Sequence, residues 1–406
     1  MQNLPLKNIR VLDFTQVRVG PQITQWLAVQ GAEVIRVETK LRPESFKMTN
    51  NPGSLTQAAK YRVGYFASLN YSKQSITVNM KSQKSFDLIK DLLKHIDIVA
   101  ENFRTGVMEK WGLGYNDLKK INPGIILISA SGFGRTGLMK DEPAYAPVID
   151  GFSGYSYVNG YPDGEPAEAG ARGFSDSIAA YQGVFALMAA LYHRSKTGEG
   201  QFLDLSMSEA DVALGPEAVI EYAVTGRVQG RLGNSDKHMA PHDVYRCLGD
   251  DRWVAIACSN DKEWKGLCKA MGNPKWTKDA KFSDAAGRRT HKDELDALIG
   301  TWTVKQDHLA AMKTLQAAGV IAGASLKVEE LCEDPHIIER GFLVDIEYPD
   351  KSIIRRSALP YNLCVSGKGN YTHPPEAGEN NQYVFGKIMG LSAEKIKELE
   401  KEQVIY

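Results

Sequence analysis

Cysteine is scarce in this chain and poorly spaced for chemistry. The five cysteines are Cys247, Cys258, Cys268, Cys332 and Cys364, and no two form a CxxC pair. An odd, scattered set argues against a disulfide framework or a zinc site and suits a reducing cytoplasm. Charge of one sign is also lacking, because 49 Lys and Arg balance 49 Asp and Glu. A neutral chain gives no support to nucleic-acid or membrane-surface binding, and neither partner is expected. The start, Met1-Gln2-Asn3-Leu4-Pro5, has no basic residues followed by an apolar run, so no signal peptide is expected. The longest strongly apolar stretch, 184–192, is too short to span a bilayer. Internal repeats and low-complexity tracts are missing. So are GxGxxG after a strand, GxxxxGK[ST], HExxH and GxSxG.

What is present is the composition of a globular protein, 43% hydrophobic and 24% charged, in 406 residues. That length predicts two or three lobes. Short β-branched runs at 9–15, 32–38, 75–80, 96–100 and 125–129 read as strands. Between them, 22–30 reads as a helix stopped by Gly31. Residues 84–95 carry Phe86, Leu88, Ile89, Leu92 and Leu93 at helical spacing. Alternation of strand and helix implies parallel pairing and a layered α/β fold. Residues 145–173 lose this periodicity and read as a long irregular segment, a kind often functional. Residues 177–192 are apolar nearly all round and predict a buried helix; a turn at Gly198-Glu199-Gly200 and a strand over 202–206 follow. A second lobe starts near 225, with a strand at 253–258 and helices near 261–271, 292–302 and 305–318. The tail from about 331 has extended pieces and a charged helix near 393–402.

Asp176 stands out, because it follows the irregular Gly- and Pro-rich segment and precedes the apolar helix. The plain alternative is that it, or Ser175, is only a helix N-cap. A carboxylate near a helix start gains roughly 0.3–1 kcal/mol from the dipole and stays ionised, as an attacking carboxylate must. Arg18 and Gly20-Pro21 follow the first strand, at the sheet end where ligands gather. Arg18 there would hold a carboxylate or phosphate, or is a surface arginine beside a Pro-started helix. Lys73, Lys81, Arg104 and Lys110 would form a phosphate-binding patch, or are separate solvated charges. Gly132-Phe133-Gly134 is a weak signal that fits a tight turn at a strand end.

An ordered set of motifs runs over nearly the whole chain. It begins with Ile9-Arg10-Val11-Leu12-Asp13 and Gly20-Pro21, then Gly31-Ala32-Glu33-Val34-Ile35-Arg36-Val37-Glu38. Leu69-Asn70 with Lys73 and Ser75-Ile76, Glu101-Asn102-Phe103-Arg104 and Gly112-Leu113-Gly114-Tyr115 continue it. Asn122-Pro123, Ser131-Gly132-Phe133-Gly134, Lys196-Thr197-Gly198-Glu199-Gly200-Gln201 and Asp334-Pro335-His336 complete it. In this the sequence resembles the family III CoA-transferases, a group that includes the α-methylacyl-CoA racemases.

The resemblance implies a large Rossmann-like lobe with a parallel sheet plus a smaller α/β lobe. The large lobe would take 1–215, the small lobe 225–330, and a return segment, 331–406, would rejoin the large one. Two subunits would interlock as linked rings. Asp176 takes the family's nucleophile position, passing through an aspartyl mixed anhydride and an aspartyl-CoA thioester. No permanently bound cofactor is implied, since the coenzyme A thioester is itself a substrate. Val17, Arg18 and Val19 would lie near the thioester. Val78, Asn79, Met80, Lys81, Asn102, Phe103, Arg104 and Lys110 would line the nucleotide end, and Pro143, Ala144 and Tyr145 the pantetheine path. Thr39, with Lys40 adjacent, replaces an arginine of formyl-CoA:oxalate CoA-transferase, and Arg18 replaces a small polar residue, which argues against oxalate as substrate. Succinyl-CoA as donor and an acceptor such as benzylsuccinate are expected instead. Similarity to the heteromeric benzylsuccinate CoA-transferases makes either a homodimer or a heteromer with a homologous subunit the expected assembly. Two rivals remain. Racemases of the group pair their Asp with a His from the preceding segment, and no histidine occurs here between His95 and His193. A non-catalytic scaffold subunit is the other, against which the presence of Asp176 argues.

Overall fold

Short runs of β-branched residues become the strands of a six-stranded, all-parallel sheet in the order β3-β2-β1-β4-β5-β6. In the computed structural model, which describes residues 3–39, 41, 64–166 and 173–406, these are β1 (Arg10–Asp13), β2 (Glu33–Glu38), β3 (Gln74–Thr77), β4 (Ile98–Glu101), β5 (Ile126–Ser131) and β6 (Phe202–Ser206). The α/β class expected from the alternation of strands and helices is the one observed.

Successive strand residues feed opposite faces. Leu12, Ile35, Ile76, Val99 and Leu127 pack on one side with Leu88, Ile89 and Leu92 of the helix Gln83–Leu93. Val11, Val34, Ile98, Ile126 and Ile128 pack on the other with Ile23 and Leu27 of the helix Val19–Val29 and Ala179, Ala180 and Leu187 of the helix Phe174–Thr197. A parallel sheet covered on both faces favours apolar residues at successive positions, as in the central runs Val11–Leu12, Val34–Ile35, Ile98–Ala100 and Ile126–Ile128. Each fully buried Leu or Ile contributes roughly 1.5–3 kcal/mol. The chain's end joins the first of these layers through Val384, Phe385, Ile396, Leu399, Val404 and Ile405.

The chain divides into two compact units. One comprises the described residues up to Ser156, 173–227 and Glu339–Tyr406; it holds the sheet and an antiparallel hairpin of β10 (Leu343–Glu347) and β11 (Ile353–Ser357). The other runs over Val228–Ile338 together with 157–166. Its antiparallel sheet, β7 (His242–Arg246), β8 (Trp253–Ala257) and β9 (Ile321–Ala324), is covered by the helices Asp261–Ala270, Lys292–Thr303 and His308–Ala317 around Val254, Ile256, Leu267, Leu295, Ile299 and Leu315.

Two local expectations are corrected. The segment read as irregular contains the helices Ala146–Phe152 and Tyr155–Val158. Pro147 sits in the first turn of the former, where a missing N–H does no harm, and Ile149 anchors it in the core. The helix predicted over 177–192 extends over 24 residues and is not buried all round, since Tyr181, Phe185 and Tyr192 are exposed. Its length and composition alone would suffice to cross a membrane, unlike its most apolar stretch. Here one face packs on β5, β6 and the helix Val19–Val29. Gly183 permits that approach, because a Cβ there would lie 2.7 Å from Ile23 Cδ1.

Candidate active site

The order of strands reverses between β1 and β4, so the loops leaving their carboxyl ends diverge and open a crevice, the usual ligand position in such sheets. Two adjoining cavities lie there. The smaller, about 260 Å³, is lined by Gln16, Val17, Arg18 and Val19 after β1, Asn102, Phe103, Arg104 and Thr105 after β4, Ser131, Gly132 and Phe133 at the end of β5, Pro143, Ala144 and Tyr145, and Asp176. The larger, about 810 Å³, shares Gln16, Phe103, Arg104 and Tyr145 with it, and adds Phe14, Arg36, Thr39, Met80, Lys81 and Trp111.

Asp176 is the third residue of its helix. Gly173 is the N-cap, with a left-handed φ of 83°, and neither Ser175 nor Asp176 caps the helix through its side chain. A Cβ at Gly173 would also lie 2.6 Å from Arg18 Nη1 and would push that side chain aside. Burial pushes the Asp176 carboxyl up to about 6, against the opposing pull of Arg18 and a hydrogen bond donated by the Val19 N–H; Asp150 adds to the rise. Desolvation therefore outweighs the helix dipole, contrary to the expectation of an acid held simply ionised. A carboxylate with this acidity is still largely anionic at neutral pH and more nucleophilic than an ordinary one.

Arg18 is tied to its surroundings by hydrogen bonds from Nη1 to the Tyr65 hydroxyl and from Nη2 to Ser177 Oγ, the latter at 3.2 Å. Its cationic head thus sits over the start of the Asp176 helix. Ser131 Oγ is buried without a hydrogen-bond partner among the described residues, at the end of β5 on the same cavity.

Val17, Arg18, Val19, Asn102, Phe103, Arg104, Pro143, Ala144, Tyr145 and Asp176 are brought together around the smaller cavity, and Met80 and Lys81 line the larger. Four expected contacts are elsewhere. Lys73 is completely buried beneath the site, donating to Asp13 Oδ2, Pro21 O and Asn70 Oδ1. Val78 is a core residue bridged to Ile405, and Asn79 donates its N–H to Val404 O and Nδ2 to Gln403 O, because the chain's end lies along this edge. Lys110 is exposed and lines neither cavity. Lys40 lies outside the described residues. Gln16, Tyr65, Ser131, Lys140 and Met207 were not anticipated as site residues; Gln16 had a usable signal in its place directly after β1, and Ser131 in the Ser131-Gly132-Phe133-Gly134 motif.

The family model described as CoA-transferase family III matches residues 6–381. The chain belongs to CoA-transferase family III. Among curated members, it is 32% identical over 403 residues to the succinyl-CoA–D-citramalate CoA-transferase of Chloroflexus aurantiacus, covering 99% of this chain and 98% of that one. It is 29% identical over 405 residues to the succinyl-CoA–L-malate CoA-transferase beta subunit of the same organism, with 99% and 98% covered. A CAIB/BAIF family protein from Brucella suis has the same fold, with a TM-score of 0.86 at 27% identity over 95% of this chain and 100% of that one. In this CoA-transferase the larger cavity pairs the cations Lys81 and Arg104 with an apolar wall of Phe103 and Trp111. Those are the groups that a phosphate-bearing nucleotide and a pantetheine arm require.

Proposed function

We propose that this family III CoA-transferase moves CoA from succinyl-CoA to an acid carrying a second carboxylate, with Asp176 as covalent nucleophile. The observation that carries the proposal is a carboxyl whose pKa desolvation raises, with the Arg18 charge acting on it, lining a cavity that shares Gln16, Phe103, Arg104 and Tyr145 with one suited to CoA. An Asp176 oxygen attacks the thioester carbonyl, the C–S bond breaks, and CoA leaves as thiolate, so that an aspartyl–succinyl mixed anhydride remains. The thiolate then attacks the aspartyl carbonyl, releasing succinate and leaving an aspartyl-CoA thioester. The acceptor carboxylate attacks that thioester, and the returning thiolate takes the new acyl group, regenerating Asp176. Bonds broken and formed are matched in kind, so the exchange is near thermoneutral and calls for neither ATP nor a resident cofactor. Each tetrahedral intermediate places a negative oxygen in the cavity. The Ser131 hydroxyl is a donor available to it, and such a donor is typically worth about 2.7–4 kcal/mol.

Arg18 supports the choice of a dicarboxylic pair, since a guanidinium beside the nucleophile would hold the far carboxylate of succinate. Citramalate, malate and benzylsuccinate are the acceptors to compare. Racemisation is disfavoured by the lack of any histidine among the described residues lining the Asp176 cavity. A second copy, or a homologous subunit, is proposed as partner, and the cytoplasm as location.

The test is mass spectrometry of the protein after incubation with succinyl-CoA, with Asp176→Asn as control. A CoA adduct on the Asp176 peptide, and loss of exchange of labelled succinate in the variant, are expected. Undiminished exchange by Asp176→Asn overturns the proposal.

A further inference from the structure

We infer that the buried ion pair of Arg135 and Glu101 is a positioning pair for CoA transfer: it ties the turn that walls the Asp176 cavity to the loop that carries Phe103 and Arg104 into the CoA cavity. This rests on the two cavities being the acyl-CoA site, and not on which group attacks the thioester.

Two adjacent strands deliver the parts. β4 ends at Glu101, and the loop after it lines both cavities with Phe103 and Arg104. β5 ends at Ser131, and the turn after it lines the smaller cavity with Gly132 and Phe133. Arg135 follows that turn, and its side chain folds back along β5. Its Nε donates to Ser129 Oγ at 2.5 Å and its Nη2 to Glu101 Oε1. The other oxygen of Glu101 accepts the Phe103 N–H at 2.8 Å. One carboxylate therefore joins the side chain that closes one loop to the backbone that opens the other.

The pair is out of water, with the Arg135 side chain 7% exposed and that of Glu101 1%. Arg135 Nη1 also lies 4.0 Å from the largely exposed carboxylate of Glu109. Burial pushes the Glu101 carboxyl up, and the Arg135 charge opposes that rise. A buried carboxylate deprived of its cation is strongly destabilising, whereas a neutral group of the same shape is not. Stability and positioning can therefore be separated by substitution.

The turn has other supports, and they tie it to β6. Asp204 accepts the Arg135 N–H at 2.8 Å and 3.0 Å through its two oxygens, and the Ser208 N–H donates to Gly132 O at 3.0 Å. Towards β4, Thr105 Oγ1 donates to Lys140 O at 2.7 Å, farther along both loops. Losing the ion pair thus loosens the two walls against each other without unfolding either. The cavity feels a small shift of the turn, because Gly132 packs so closely on the Pro143–Tyr145 segment that a Cβ there would lie 2.5 Å from Ala144 Cβ.

The experiment compares wild type, Arg135→Met and the double variant Glu101→Gln/Arg135→Met by urea unfolding, calorimetry with free CoA, and exchange of labelled succinate into succinyl-CoA. Arg135→Met leaves the carboxylate without its cation, so both the urea midpoint and kcat are expected to fall. Glu101→Gln then removes the buried charge, while its amide oxygen still accepts the Phe103 N–H, so the midpoint recovers towards wild type. The tie between the walls is still missing, so kcat of the double variant stays roughly ten- to hundredfold low. Its affinity for CoA remains within about threefold of wild type, because the loop that carries Phe103 keeps its local hold. Arg135→Lys keeps the cation without the fork that reaches Ser129 and Glu101 together. It gives a smaller fall in kcat at near-normal stability, and serves if the methionine variant folds poorly. Recovery of kcat together with the midpoint in the double variant makes the pair a stabilising contact only and overturns the inference. A loss of CoA affinity in proportion to kcat overturns it too, by placing the effect on ligand binding. If Arg104→Ala leaves CoA affinity unmoved, the cavities are not the CoA site, and the reading of the site fails along with the inference.

Discussion

Lys73 Nζ lies 3.1 Å from Asp13 Oδ2, and both side chains are completely buried beneath the loop that carries Arg18. Asp13 ends β1. It also accepts from the Thr15 N–H and Oγ1 and from Thr24 Oγ1, so a single carboxylate anchors the turn and the helix that follow it. Burial by itself would raise the Asp13 pKa, but Lys73 and Arg36 beside it, with the threonine hydrogen bonds, hold it below the ordinary carboxylate range.

Removing the lysine leaves that carboxylate buried without its nearest cation. Breaking a pair of this kind typically costs about 3–5 kcal/mol. Lys73→Met is therefore expected to lower the urea midpoint strongly at pH 7. The sign of the pH dependence follows from the depressed pKa. In the wild type this stabilisation is present above the unfolded value of 3.8 and is lost as pH falls through the lower folded value. In the variant Asp13 becomes neutral at a higher pH, so the gap between the two proteins narrows as pH approaches 4. A gap that stays constant from pH 7 to pH 4 contradicts the assignment.

Asp176 has the opposite sign. Its folded pKa, about 6, lies above the unfolded 3.8, so its contribution to stability is full below 3.8 and is lost as pH rises through 6. Asp176→Asn is expected to be more stable than wild type at pH 7, by up to about 3 kcal/mol, and equal to it near pH 3.5. The same group sets the rate, so kcat/KM falls about tenfold per unit below pH 6. Thermal unfolding of both proteins and a pH–rate profile of the wild type check the two limbs. Equal stabilities at pH 7 would show the carboxylate to be better solvated than its burial implies.

Arg18→Ala removes the cation proposed for the far carboxylate of succinate. A hydrogen bond to a charged group is worth about 1.5–3 kcal/mol, so kcat/KM for succinyl-CoA should drop roughly 10- to 100-fold. Because Arg18 also opposes the rise in the Asp176 pKa, the acid limb of the rate profile moves up for every donor. Acetyl-CoA separates the two effects, since it shares the limb shift but has no far carboxylate to lose. Equal losses for both donors would exclude the second-carboxylate role.

Much of the large unit was legible because its signals are local. β-branched runs bounded by turns gave the parallel strands, and Gly31, at φ 99°, stops the helix before β2 where the pattern placed it. The helix start that carries Asp176 was legible because it follows a glycine-rich segment. The misplaced residues have distant partners. Lys73 reads as a surface charge until Asp13, 60 residues away, comes to its side. Val78 and Asn79 read as ligand contacts until Val404 and Ile405 occupy that edge. Apolar residues all round the helix Phe174–Thr197 implied full burial, yet the pattern says nothing about which molecule does the covering.

Phe185 is 77% exposed and Tyr192 68% exposed on the helix Phe174–Thr197, and the helix Pro216–Thr225 buries none of its residues while exposing Val219, Ile220, Tyr222 and Val224. Exposed apolar side chains concentrated on two helices are the kind of surface that marks an interface. Light scattering on the wild type is expected to give about twice the 44.8 kDa chain mass. Replacing Phe185 and Tyr192 together by glutamate places charge in the contact, and should yield monomer or aggregate with little activity, the wild-type fold being checked by circular dichroism. If the wild-type chain alone is monomeric and inactive, but gains both mass and activity with a homologous subunit, the same face belongs to a heteromer. Monomeric wild type with full activity would mean that these aromatic residues do not form an interface required for catalysis.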